Sequence, residues 1–172
     1  MKKNHILSLF LYFMLLLFLS GCGTSYKALE KQTVAHAERK LGVKINKSDP
    51  LALFVEAAAW VGTPYRAGGY TKKGADCSGF TTSVYRDVYQ KKLARNSADI
   101  YNQNCVRIRR KSKLKSGDLV FFRTTKASKI THVGIYLKDN HFIHAATRGG
   151  VQVNRLDEPY YHKTFYRGGR VK

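Results

Sequence analysis

The sequence predicts an α+β domain in which a helical layer packs on an antiparallel sheet of five to six strands. In the first half of the chain, apolar residues recur at helical spacing over residues 51–61 and 80–91. In the second half, short segments rich in Val, Ile, Phe and Tyr are separated by turn residues. The predicted strands are 119–123, 131–137, 141–147, 150–154 and 165–171, and a short helix starting at Ser97 lies between the two halves.

The N-terminus is typical of a secretory leader. Lys2 and Lys3 precede an apolar run over residues 6–18, which is shorter than the roughly 20 residues that a transmembrane helix needs. We therefore expect residues 1–21 to be a signal peptide rather than a retained membrane anchor. The ending Leu-Ser-Gly-Cys resembles the bacterial lipobox, after which Cys22 becomes the lipidated first residue. Gly23 favours the periplasmic face of the outer membrane, by resemblance to lipoproteins that lack an acidic retention residue.

Residues 22–48 are predicted to form the lipidated N-terminus and a stalk, since the helical tract 26–41 carries only a weak apolar stripe. Asp49 and Pro50 then predict a helix start, with the acid as N-cap and proline at the first helical position. The compact domain is therefore expected over residues 49–172. That length is enough for one hydrophobic core without disulfides.

A cysteine stands where a loop is expected to turn into a helix. Asp76, Cys77 and Ser78 follow a glycine-rich loop and precede the predicted helix, so Cys77 falls in its first turn. Unpaired N–H groups and the helix dipole stabilise a thiolate at such a position. We therefore predict that the pKa of Cys77 is lowered and that this cysteine is a nucleophile.

Positive charge dominates the chain. Without the leader it carries 29 basic and 11 acidic residues, a net charge of +18, because Lys2 and Lys3 leave with residues 1–21. An exported location argues against nucleic acid and leaves anionic wall polymers, carboxylate-rich wall peptides or lipid phosphates as partners. The densest basic segment, 107–115, is interpreted first as a solvated linker. Its basic residues are Arg107, Arg109, Arg110, Lys111, Lys113 and Lys115.

Cys77 and Cys105 remain once Cys22 is assigned to lipidation. A disulfide between them is possible, but two cysteines do not make a disulfide framework, and Cys105 is typical of a small buried hydrophobe. The scattered histidines and cysteines lack the close spacing of a zinc site, so we expect neither a metal nor a cofactor.

A nucleophilic cysteine needs a base and a group that orients the base. Strand alternation places His132, Gly134 and Tyr136 on one face, and an odd-length loop around residues 138–140 would bring His144 to the same face. His132 is then the candidate base and His144 its acceptor, with Gly134 leaving room for the helix terminus that carries the cysteine. A half-buried strand position without catalytic role is the alternative for each histidine.

Five segments resemble, in order and spacing, the NlpC-type cell-wall peptidases, which are papain-like cysteine hydrolases of bacterial peptidoglycan. The resemblance covers about residues 51–171 and is to short lipoprotein members with a lipobox, a stalk and one catalytic domain. The segments are Gly-Thr-Pro-Tyr at 62–65, Asp-Cys-Ser-Gly-Phe at 76–80, Gly-Asp-Leu-Val-Phe-Phe at 117–122, His-Val-Gly-Ile-Tyr at 132–136 and Phe-Ile-His-Ala at 142–145.

The resemblance implies a papain-like fold and a role for each matched residue. Cys77 would be the nucleophile, His132 the general base and His144 the third polar residue. The Tyr65 hydroxyl would help the Cys77 backbone N–H to bind the oxyanion. The acid and serine beside the cysteine, Asp76 and Ser78, would hold the stem peptide.

The implied activity is a murein endopeptidase, which hydrolyses amides in peptidoglycan stem peptides or cross-links through a thioester. We expect a monomer that is lipid-anchored in the cell envelope. Two other classes stay open. One is a non-catalytic wall-binding lipoprotein, against which the presence of Cys77, His132 and His144 speaks. The other is a papain-like acyltransferase or amidase that acts on a lipid or another amide.

Overall fold

The computed structural model describes residues 22–124 and 129–172, with side chains from Tyr26 onward. The predicted signal peptide, residues 1–21, lies outside the described residues. Helix α1 spans Cys22–Leu41, and the described part of the first of two compact units, up to Ala35, belongs to this helix. In the part of the chain that the structure covers, we find no helix with the length and apolar character of a membrane span.

The second compact unit runs from His36 to Lys172 and therefore includes the end of α1. Ala37, Leu41 and Val43, which fall in the predicted stalk, are buried in its core. The weak apolar stripe of the helix is thus concentrated near its C-terminal end, where these side chains find apolar neighbours.

Helix α2, Leu51–Trp60, lies close to its predicted position, but its start differs from the prediction. Pro50 is the N-cap residue, and α2 has no side-chain capping bond among the described residues. The Asp49 carboxylate instead accepts from Lys138 Nζ at 2.6 Å and from the Asn46 backbone N–H at 2.7 Å. Asp49 therefore pairs with a lysine that is distant in the sequence, instead of capping the helix that follows it.

The segment that carries Cys77 follows a two-stranded ribbon, β1 (Tyr70–Thr71) and β2 (Gly74–Ala75). Helix α3, Cys77–Tyr89, begins directly afterwards, and Gln90 ends it in the left-handed conformation with φ of 54°. A short helical segment, α4 at Ser97–Asp99, continues as a π turn at Ile100–Asn104.

The second half forms an antiparallel sheet of six strands within the described residues, as predicted. Its edge strand β3 overlaps the start of the segment interpreted as a basic linker; Val106 and Arg107 of this strand face solvent, and Cys105 is buried against the sheet. The short helix α5, Pro159–Thr164, was not predicted from the sequence, and neither was strand β3. The strands are β3 (Cys105–Ile108), β4 (Leu119–Phe122), β5 (His132–Lys138), β6 (His141–Ala146), β7 (Gly150–Arg155) and β8 (Phe165–Val171), in the spatial order β3-β8-β4-β5-β6-β7.

The core lies between the helices and one face of this sheet. Phe54 of α2 and Phe80 of α3 join the alternate side chains Val133, Ile135 and Ile143 of β5 and β6 in one buried cluster. The opposite face of the sheet carries a second cluster that includes Phe122 of β4 and Phe142 of β6. Period-two alternation therefore separates the helix-facing core from the face on which the histidines lie.

Candidate active site

Cys77 is the first residue of α3, as the sequence predicts, and Asp76 caps the helix. The cap residue has an extended backbone, and its Oδ1 accepts from the Gly79 backbone N–H at 2.7 Å. Gly79 has to be glycine, because a Cβ there would lie 2.0 Å from the Gly69 carbonyl oxygen. The close approach of loop and helix thus fixes where the partly buried Cys77 thiol sits.

A β-bulge brings the two histidines to one face of the sheet. The turn between β5 and β6 has only two residues, Asp139 and Asn140, and both have positive φ, as a type I′ turn requires. A two-residue turn alone would place His144 on the face opposite His132, because one residue of register reverses every side chain. The register shifts between Tyr136 and Lys138, and this one-residue bulge restores the common face.

The histidine rings form a direct hydrogen bond. His132 Nε2 lies 2.7 Å from His144 Nδ1, and the ring planes are perpendicular. Gly134 leaves room for the neighbouring strand rather than for the helix terminus, which corrects the prediction. A Cβ on Gly134 would lie 2.8 Å from Phe142 Cδ2 and 3.1 Å from His144 Cβ.

The cysteine and both histidines line one cavity of about 380 Å³. The Cys77 sulfur lies near the start of β5, where it accepts a hydrogen bond from the Val133 backbone N–H. The structure therefore brings together the three residues predicted as catalytic. The remaining lining residues are Tyr65, Thr124, Thr131, Ala146, Thr147, Arg148, Gln152, Tyr160 and Tyr161.

The pKa of Cys77 is raised, so the predicted lowering is wrong. Burial is the largest cause, and the Asp76 charge adds to it. The backbone N–H groups of Val133, Ser78 and Cys77 itself lower the pKa but do not offset the burial. A helix start stabilises a thiolate fully only where water also reaches it, so the resting group here is a neutral thiol.

Both histidines are also neutral at rest. Burial lowers the pKa of His132 to about 3, and the neighbouring His144 lowers it further in the same sense. Burial likewise lowers the pKa of His144 to about 4, against the opposing effects of an Asn154 hydrogen bond and the Glu158 charge. A neutral imidazole can accept a proton from a neutral thiol, so this pair is arranged for general-base chemistry.

Asp76 and Ser78 lie beside the cysteine, where Arg95 engages both of them. Arg95 Nη2 lies 2.8 Å from Asp76 Oδ2, and its Nη1 contacts Asp76 Oδ1 and Ser78 Oγ at 3.0 and 2.9 Å. Burial raises the pKa of Asp76, but hydrogen bonds from Arg95, Gly79 and Ser78 outweigh it, and the net pKa is lowered. Arg95 was not predicted from the sequence, because its partners are distant along the chain and no local pattern indicates them. Substrate binding by Asp76 and Ser78 stays a prediction.

Tyr65 lines the same cavity as the cysteine. Burial raises its pKa, as do the charges of Cys77 and Asp76, which places the hydroxyl within electrostatic reach of both. Its oxyanion role stays a prediction. Cys105 is a free buried thiol in β3, and Cys77 is also free, so neither forms the alternative disulfide in the part of the chain described. The Cys22 side chain lies outside the described side chains.

A cysteine at a helix start beside two hydrogen-bonded histidines on adjacent strands defines a papain-like cysteine hydrolase site on an α+β fold. Residues 62–170 match the NlpC/P60 family. The chain belongs to that family.

Individual relatives agree with this assignment. The chain is 41% identical over 133 residues to a probable endopeptidase NlpC homolog of Haemophilus influenzae, covering 75% of this chain and 69% of that one. It is 40% identical over 114 residues to the murein DD-endopeptidase MepS/murein LD-carboxypeptidase of Escherichia coli, covering 66% and 58%. A solved NLP/P60-family protein of Staphylococcus aureus, described as similar to a lipoprotein, superposes with a TM-score of 0.64 at 30% identity, covering 75% of this chain and 43% of that one.

Proposed function

We propose that this protein is a peptidoglycan endopeptidase that hydrolyses amide bonds of stem peptides or their cross-links. The observation that carries the proposal is the 2.7 Å bond between His132 Nε2 and His144 Nδ1 in the cavity that also holds Cys77. The activities for which the relatives are named, endopeptidase and murein DD-endopeptidase, support this substrate class. The net charge of +20 in the full chain suits a carboxylate-rich polymer.

The mechanism starts from a neutral pair. His132 Nδ1 takes the thiol proton as Cys77 Sγ attacks the amide carbonyl, so the thiolate exists only as the new S–C bond forms. The Cys77 backbone N–H and the Tyr65 hydroxyl would stabilise the oxyanion; removing one such donor typically costs about 3 kcal/mol of barrier. His132 then protonates the leaving amine, and a thioester remains on Cys77. Water, deprotonated by His132, attacks the thioester; the S–C bond breaks, the acid is released, and His132 returns the proton to the Cys77 sulfur.

Asp76 and Ser78 are our candidates for holding the peptide. Arg95 is already bonded to both side chains. Substrate would therefore contact Asp76 and Ser78 together with the guanidinium, since the Asp76 carboxylate is not free to bind it alone. A substrate carboxylate or carbonyl beside Arg95 fits this arrangement better than a lone amine.

Digestion of purified sacculi tests the activity. Wild-type protein should release muropeptide fragments, and Cys77→Ala should not. Cys105→Ala is the matched control, because it removes the other described cysteine, which is buried in β3 away from the cavity lining. Equal release by Cys77→Ala and wild type would overturn the proposal. Mass spectrometry of the fragments identifies which amide is cut.

We also propose that residues 1–21 are removed, that Cys22 is acylated and that the mature monomer lies in the cell envelope at the periplasmic face of the outer membrane. The basic start, the apolar run and the Leu-Ser-Gly-Cys ending support this. Stable anchoring needs more than one acyl chain, such as palmitate.

Labelling cells with a palmitate analogue should mark wild-type protein in the outer-membrane fraction, whereas Cys22→Ala should be unlabelled. Labelled Cys22→Ala would contradict the proposal. Sedimentation of the soluble domain should give the monomer mass.

A further inference from the structure

The hydrogen bonds of the histidine pair continue beyond His144. His144 Nε2 lies 3.0 Å from Asn154 Oδ1, and Asn154 Nδ2 lies 3.0 Å from one oxygen of Glu158 and 3.3 Å from the other. Tyr161 Oη is 3.2 Å from the same His144 nitrogen and donates to Asn154 Oδ1 at 3.3 Å. We call Asn154, Glu158 and Tyr161 the support residues.

We propose that Glu158, acting through Asn154, fixes the tautomer of both histidines and so leaves His132 Nδ1 free to act as the base. The proposal rests on the proposed function and adds positioning residues to it. A carboxylate only accepts hydrogen bonds, so the Asn154 NH₂ group must face Glu158. Its carbonyl oxygen therefore faces His144.

The direction of every further bond follows from that oxygen. Asn154 Oδ1 can only accept, so His144 Nε2 carries the proton. His144 is 1% exposed, which favours the neutral ring, and a neutral ring protonated at Nε2 has an acceptor at Nδ1. His132 Nε2 must then donate across the 2.7 Å contact, and its own Nδ1 is left unprotonated.

The opposite tautomer would disable the base. If His144 carried its proton on Nδ1, it would donate to His132, whose proton would move to Nδ1 and face the cysteine. A histidine as third catalytic residue carries no charge of its own, unlike the aspartate of a serine-protease triad. Here the carboxylate is present two hydrogen bonds further out, where its charge also favours the imidazolium that forms on His132.

Local sequence explains how the support residues assemble. Asn154 lies near the end of β7, and Glu158 follows one turn later, immediately before α5. Glu158 Oε1 also accepts from the Arg155 backbone N–H at 2.6 Å, which closes the turn. A substitution of Glu158 that removes this acceptor would disturb the turn as well as the histidines, and the test has to separate the two effects.

Histidine tautomers can be read directly by NMR on protein labelled with ¹⁵N-histidine. Wild-type protein should show His132 and His144 both protonated on Nε2. In Asn154→Leu we expect a mixture of tautomers and a kcat at least about tenfold lower, the upper bound being the roughly 10⁴-fold loss that a wrong tautomer causes in a serine-protease triad. Unchanged tautomers and rate in this variant, or Nδ1 protonation of His132 in wild type, would overturn the proposal.

Two further variants separate positioning from folding. Glu158→Gln keeps an acceptor for the Arg155 N–H but loses the charge, so the fold should persist while kcat falls and KM is unchanged. Asp157→Asn is the matched control; it removes an exposed neighbouring carboxylate that pairs with Arg155 instead. A Glu158→Gln rate equal to that of Asp157→Asn would remove Glu158 from the proposal. The tautomer readout does not depend on substrate, so a failed endopeptidase assay leaves this test valid.

Discussion

Burial of two neutral histidines predicts that the domain loses stability in mild acid. The ordinary pKa of 6.5 falls to about 3 for His132 and about 4 for His144 in the folded protein. Between pH 6.5 and 4 the unfolded chain therefore binds more protons than the folded one, and the free energy of unfolding decreases as the pH falls.

The magnitude follows from the two pKa shifts. At pH 5 each histidine stays neutral in the fold but is mostly protonated in the unfolded chain, which costs about 2 kcal/mol per residue relative to pH 7. The pair should therefore lower the free energy of unfolding by about 4 kcal/mol. Carboxyls with a lowered pKa, such as Asp49 and Asp76, add little in this range, because their stabilisation is lost only as the pH falls below the unfolded value of 3.8.

Urea unfolding at pH 7 and pH 5 measures this loss, with the fluorescence of the buried Trp60 as the signal. His144→Gln keeps an oxygen that can accept from His132 but cannot titrate, so about half of the pH-dependent loss should disappear. His162→Gln removes an exposed histidine and should leave the loss unchanged. If wild type and His144→Gln lost the same free energy, the histidine pair would not be the cause and the reasoning would fail.

Three further predictions concern the surroundings of the pair. Alkylation of Cys77 by iodoacetamide should stay slow near pH 7 and rise past pH 9, because burial raises its pKa from 9.0; a rate already at its plateau at pH 6 would contradict this. Gly134→Ala should destabilise the domain by about 1–3 kcal/mol in urea unfolding, since the new Cβ meets a ring and a carbonyl of β6; a neutral effect would mean that β6 can move away. Arg95→Met should lower the free energy of unfolding by about 1 kcal/mol and raise the pKa of Asp76 in an NMR titration. Arg86→Met removes a more exposed ion pair and should lower the free energy of unfolding by less. Equal losses in the two variants would exclude a special role for Arg95.

Patterns local to one segment predicted much of the fold. The helical spacing around Phe80 and the alternation around His132 placed α3 and β5 within a few residues of their observed bounds, because each pattern reflects one buried face. Strand β3 was missed because the basic residues around Arg107 mask a short edge strand whose only buried side chain is Cys105.

Features that depend on distant parts of the chain could not be predicted in the same way. His132 and His144 were predicted to share one face because of an odd-length loop, whereas they share it because of a two-residue turn and a bulge before Lys138. Both arrangements put the two histidines on the same face, so the alternation of the sequence alone cannot distinguish them. The pKa of Cys77 was predicted in the wrong direction, because a helix position indicates nothing about how deeply tertiary packing buries the thiol.

A thioester on Cys77 distinguishes covalent catalysis from direct hydrolysis of the amide, and hydroxylamine detects this intermediate. Hydroxylamine attacks a thioester and yields a stem-peptide hydroxamate with release of the thiol, whereas direct attack of water on the amide yields only the acid. When wild-type protein digests sacculi in the presence of hydroxylamine, the amount of hydroxamate should rise with the hydroxylamine concentration. Cys77→Ala should form none. Fragments that carry only carboxylic acids at every hydroxylamine concentration would contradict a covalent role for Cys77.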